Sequence, residues 1–175
     1  MTKDVFDCIR ESHSVRSFKD EQISEPTLTR ILEAGNMAPS AGNLQPWYFF
    51  VVQNPAVKDK LAAAAFEQEQ INEAPTVIVI LADPGRSNEK YGERGAQLYC
   101  LQDTAAAAQN ILLAAEGVGI AGCWVGAFDE RKVQEAVEAP PRLRAIAMIC
   151  LGYSSEQSKQ VKERLRLNDV TKFIH

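Results

Sequence analysis

Histidine is scarce in this chain of 175 residues, where only His13 and His175 carry an imidazole. A metal centre built on several His ligands is therefore excluded. A Ser-His-Asp triad would have to use His13, and no G-x-S-x-G elbow accompanies it. The four cysteines, Cys8, Cys100, Cys123 and Cys150, form no CxxC pair, which argues against zinc and suits reduced thiols. Cys123 reads as a small core residue of a strand rather than a nucleophile. Basic excess is missing too: the formal charge is −4 and the pI about 5.3. No Lys/Arg run interleaves with aromatics, so nucleic acid is not an expected partner. No apolar run approaches the roughly 20 residues that span a bilayer, so no membrane partner is expected. The opening MTKDVFDCIRESHS lacks the apolar core and cleavage site of a signal peptide. The expected location is the cytoplasm.

What is present is the composition of one ordinary domain, 46% hydrophobic and 24% charged. Residues 3–11 read as a first helix and 27–37 as a second, with Ser24 as its cap and Pro26 in its first turn. APSAGNLQPW gathers turn residues into a loop, and YFFVVQ follows as a strand. Asn54 and Pro55 open the next helix. TVIVILA is a continuous β-branched run of the kind found in a central strand covered on both faces. Residues 96–116 read as one long Ala- and Leu-rich helix, apolar on more than one side, a candidate dimer core. GCWVGA reads as a strand, Asp129 as the cap of a short helix, and RAIAMICLGY as the last strand. Helices and strands intermix, which predicts an α+β domain in layers, a mixed central sheet flanked by helices. Residues 154–175 form a polar, charged tail.

GVGIAG (117–122) matches the dinucleotide fingerprint G-x-G-x-x-G letter for letter. That motif must follow a strand and open a helix, so that a pyrophosphate meets the helix N-terminus. Here the glycines end a helix and lead into a strand, so they read as a helix stop and a turn.

Redox chemistry on a flavin asks for a different kit: a backbone N–H beside N5, a cation or amide at the N1/O2 edge, and hydroxyls and basic side chains for a phosphate. No catalytic side chain is required, which fits a sequence so poor in His. SHSVRSF (12–18), APSAGNLQPW (38–47) and GCWVGAFDE (122–130) together resemble the flavin-binding segments of the nitroreductase superfamily. EAPTVIVILADP, YGERGAQLY, LQDTAAAAQNILLAA and LGY extend the resemblance, in order, over nearly the whole chain. Ser14 alone would pass for a helix-end hydroxyl and Arg16 for a solvated charge. The ordered set carries the reading.

The resemblance implies a homodimer with FMN bound across the interface, using NADH or NADPH as substrate. It places His13 and Ser14 at the phosphate and ribityl chain, and Arg16 at the pyrimidine edge. It places Pro39, Ser40, Asn43 and Gln45 in a loop lent to the partner's flavin, with Trp47 anchoring it. Gly126 and Ala127 match the turn whose amides face N5 and O4, which makes the Gly126 amide the catalytic contact. Gln68 falls near the pyrimidine edge, and Lys162 and Arg164 match a basic pair for the phosphate. The tail would thereby serve the phosphate and the dimer. The implied reaction is ping-pong hydride transfer from NAD(P)H to a small electron-poor acceptor such as a nitroaromatic or quinone, selected by residues near 66–72 and 127–128. Reductive dehalogenation, flavin breakdown, or flavin binding without turnover are the alternatives. One departure stands out. Where the family carries Arg two residues before the motif's Ser, this chain has Ser12. Arg10 would lie about 200° away on a helix, so it is expected to point elsewhere.

Overall fold

TVIVILA forms β2 (Thr76–Ala82), and all of it is buried. It lies between β1 (Trp47–Val52) and β4 (Arg144–Gly152), with β3 (Ala121–Val125) beyond β4, giving the order β1-β2-β4-β3. The computed structural model describes residues 3–156 and 163–174. Every strand pairing is antiparallel. The parallel component of the expected mixed sheet shrinks, among the described residues, to one isolated bridge between Ser14 and Gly122. Both faces of β2 are covered because its side chains alternate between two cores. Val77, Val79 and Leu81 face a cluster with Leu61 and Val133, whereas Ile78 and Ile80 join Ile31 and Ile111.

The helices are α1 (Val5–Glu11), α2 (Glu25–Asn36), α3 (Pro55–Ala64), α4 (Gln70–Glu73), α5 (Pro84–Arg94), α6 (Cys100–Gly117), α7 (Glu130–Ala136) and α8 (Leu167–Val170). Side-chain caps fix several starts. Asn54 accepts from Ala56 N–H and Asp129 from those of Arg131 and Lys132, contacts worth about 1 kcal/mol each. Ser24 precedes α2 as expected, yet its hydroxyl donates to Thr27 Oγ1 and caps no amide. The expected single helix over 96–116 is divided: residues Gly95–Tyr99 wind as one π turn before α6 begins. Gly92, at φ 60° and ψ −152°, breaks the chain just upstream. Gly95 allows the tight return, since a Cβ there would stand 2.3 Å from Ser87 O. At the far end α6 stops at Gly117 and Gly119 turns the chain at φ +81° into β3, so GVGIAG is a helix stop and turn.

Lys58 on α3 is 8% exposed and donates to the carbonyls of Asn72 (2.9 Å) and Ala74 (2.8 Å). It ties α3 to the segment entering β2. Lys58→Met keeps the stem but strands two acceptors, an expected loss of about 1–3 kcal/mol. A lower urea midpoint at unchanged slope is the predicted observation, and an unchanged midpoint would contradict it.

Candidate functional site

The edge strand β3 alternates: Cys123 and Val125 are buried, while Gly122 and Trp124 take the opposite face. Alongside it runs the segment that leaves α1. Ser12 closes the helix through its N–H to Cys8 O and is already extended, at φ −58° and ψ 134°. Buried Val15 then donates its N–H to Gly122 O at 3.1 Å. Gln109, Leu112 and Glu116 of α6, spaced to share one face, form a further wall. Between these elements opens a cavity of about 870 Å³, a volume within the range of small-molecule and cofactor sites.

The cavity is rich in donors. Arg10, Arg16 and Arg164 line it with the hydroxyls of Ser12 and Ser14. Glu116, the one carboxylate of its lining among the described residues, is paired with Lys3, whose ammonium is pushed above its ordinary range by Glu116 and Glu11. His13 is oriented by Nδ1, 3.0 Å from Glu11 O, while Nε2 faces Glu156 at 3.9 Å. The other Glu156 oxygen accepts Arg16 N–H at 2.8 Å. Such a surplus of guanidiniums and hydroxyls suits an anion with several acceptor oxygens. Of the expected phosphate ligands, His13, Ser14 and Arg164 converge here with Arg16, and Lys162 lies outside the described residues. Arg10 also lines the cavity, which corrects the expectation that it points elsewhere. α1 ends at Glu11, as expected, and Ser12 is already extended, so helical spacing does not carry from Arg10 to position 12. Trp124 and the α6 wall were not identified from sequence, although a helical wheel of 109, 112 and 116 would have grouped the latter.

Pro39, Ser40, Asn43 and Gln45 do not line this cavity. Their loop is held in a strained form, with Gly42, Asn43 and Gln45 at φ 58°, 57° and 50°. Left-handed non-glycine residues persist where surroundings over-determine them. Ser40 Oγ accepts Gln45 N–H (2.9 Å), Arg86 donates to Gln45 O (2.6 Å), and Asp103 accepts Ala41 N–H (3.1 Å). Trp47 is buried and donates to Asn36 (3.0 Å), anchoring the loop's end. Gly126 and Ala127 form an exposed turn after β3. Gln68 braces this turn by donating to Ala127 O (2.9 Å) and to Ala65 O (3.0 Å).

Asp103 is 7% exposed and its Oδ2 has no partner among the described residues. Burial pushes its carboxyl up, against the downward pull of Ala41 N–H. A carboxyl raised in the folded state stabilises most below its unfolded pKa, and that contribution is lost as pH rises through the folded value. Asp103→Asn keeps an acceptor for Ala41 and removes the charge. It should gain stability over the parent as pH rises above the ordinary carboxylate range, about pH 4, as followed by urea melts. A growing deficit as pH rises would contradict the assignment.

Comparison with known proteins gives the family. A family model described as Nitroreductase family matches residues 9–73 and 66–153. An Archaeoglobus fulgidus protein, provisionally named NADH dehydrogenase/NAD(P)H nitroreductase, is 35% identical over 148 residues, covering 82% of either chain. A Rhodospirillum rubrum 5,6-dimethylbenzimidazole synthase is 26% identical over 166 residues, 82% of this chain and 78% of its own. Among solved structures, the Vibrio harveyi NADPH:FMN oxidoreductase in complex with NAD+ aligns at a TM-score of 0.88 and 25% identity, over 98% of this chain and 77% of that one. On these matches the chain belongs to the nitroreductase family and is an oxidoreductase.

Proposed function

We propose that the protein is an FMN-dependent oxidoreductase that moves hydride from NADH or NADPH to a nitroaromatic, quinone or similar acceptor. The observation that carries this reading is the cavity itself, with three guanidiniums and two hydroxyls around about 870 Å³. That donor set fits a phosphate monoester attached to a large planar ring. Bound there, FMN would supply two-electron redox chemistry between a nicotinamide and an electron-poor acceptor. The chain's own groups bind and orient. His13, Ser14, Arg164 and Lys162 would hold the phosphate and ribityl chain, and Arg16 would place a cation at the pyrimidine edge. The Gly126 and Ala127 amides, on the turn that Gln68 braces, would donate toward N5 and O4.

In this reading the loop of Pro39, Ser40, Asn43 and Gln45 serves the site of a second subunit, since it does not line the cavity bounded by α1, β3 and α6. Support for a homodimer comes from apolar surface. An open groove of about 590 Å³ lies between α1, α2 and α6, beside exposed Val5 and Met37. The tail adds exposed Leu165, Leu167, Phe173 and Ile174. Surfaces of this kind mark association sites. The tail would then serve both dimer and phosphate, within one domain that works in the cytoplasm.

Denaturing the purified protein and chromatographing what is released tests the cofactor. FMN is expected, and FAD or riboflavin would sink the assignment. If both substrates share one flavin face, double-reciprocal plots should be parallel. Lines that intersect at all concentrations would indicate a ternary complex instead.

A further inference from the structure

The cavity's charges pose a question that the family pattern does not answer. With Ser12 in place of the basic residue and Arg16 assigned to the pyrimidine edge, Arg164 alone among the described guanidiniums remains for the phosphoryl group. Resting on the FMN reading, we infer that Arg10 supplies the missing cation and donates directly to the phosphate, a ligand moved two residues back along the chain.

Three observations converge on it. Arg10 lines the same cavity as Ser12, Ser14 and Arg164. The helix ends at Glu11 and Ser12 is extended, so Arg10 and residue 12 are not constrained to opposite faces of one helix. A small side chain at position 12 leaves space that a second long side chain would fill, and contributes a hydroxyl donor instead. The present partner of Arg10 is Asp7, one turn earlier in α1. The Arg10 side chain is 70% exposed, and exposed pairs of this spacing contribute little. A phosphate dianion offers the guanidinium fork two oxygens at once, so it displaces Asp7 from Arg10. Among the described residues of the lining the one competing carboxylate, Glu116, is already held by Lys3.

The inference predicts a phosphate-specific effect. Flavin-free protein is titrated with FMN and with riboflavin, following protein fluorescence, and the ratio of the two Kd values is the readout. Arg10→Ala should lower the preference for FMN by about tenfold, the usual worth of one charge-assisted bond, while leaving riboflavin binding unchanged. Moving the charge with Arg10→Ala/Ser12→Arg should restore the preference, and Asp7→Asn should strengthen FMN binding in an Arg10-dependent way. An unchanged ratio in Arg10→Ala overturns the inference, as does equal weakening of both ligands, which would mark a merely structural role. If the parent protein itself shows no preference between FMN and riboflavin, the FMN reading falls first and the inference with it.

Discussion

Gly122→Val should give a folded protein that no longer holds flavin. Gly122 lies in β3 outside the left-handed region, so a β-branched residue suits its backbone. A Cβ at that position would come within 2.7 Å of Leu112 Cδ2 and 3.3 Å of Leu151 Cδ2. Both are ends of flexible side chains, so overpacking should cost the fold about 1–3 kcal/mol. Gly122 and Leu112 both line the cavity, so whichever side chain yields, cavity volume is lost where Ser14 bridges β3. The expected effect is FMN binding weaker by on the order of a hundredfold, if making room for the ligand in the narrowed cavity costs a further overpacking penalty of about 3 kcal/mol. Melting and FMN titration of the same sample separate the two effects. Parent-like affinity would show that this cavity is not the flavin site.

The second large effect concerns the loop at residues 40–45. Gly42→Val should also abolish flavin binding, for a different reason. Gly42 has φ +58°, and a Cβ there would meet Lys90 Nζ and Tyr91 Oη at 2.5 Å, so the strained loop cannot keep its form. If that loop reaches the partner's flavin, each variant spoils a different half of a shared site. Gly122→Val retains an intact loop, and Gly42→Val retains an intact cavity. Mixed dimers, formed by co-expression with two affinity tags, should recover one FMN per dimer, while either homodimer binds almost none. Recovery of no flavin in mixed dimers would place loop and cavity in one subunit's site and remove the argument for an interfacial one.

Much of the architecture was legible because local chemistry specified it. Asn54 and Asp129 cap helices where their spacing predicts, and an unbroken apolar run became a strand covered on both faces. GVGIAG failed the context test for a nucleotide motif and forms a turn. What escaped depends on contacts between distant residues. Asp103 holds Ala41 across 62 positions, and Arg86 fixes Gln45 across 41. Asn43 and Gln45 adopt left-handed backbones that their side chains do not favour, so the loop's form comes from its surroundings. The π turn at Gly95–Tyr99 interrupts a stretch whose composition is uniformly helical, because the close return against Ser87 outweighs local propensity. For the candidate site, motifs located His13, Ser14, Arg16 and Arg164 in one cavity. The α6 wall needed three-dimensional packing to appear, and Arg10 was misread because helical spacing was carried past the helix's end at Glu11.

A flavin held in this fold should exchange electrons with a nicotinamide. The visible absorbance of the FMN-loaded protein under anaerobic conditions, recorded as NADH or NADPH and then a quinone are added, tests it most directly. The flavin band should bleach with the nicotinamide and return with the quinone, one equivalent of each per flavin. A band that persists through excess NADH and NADPH would contradict it.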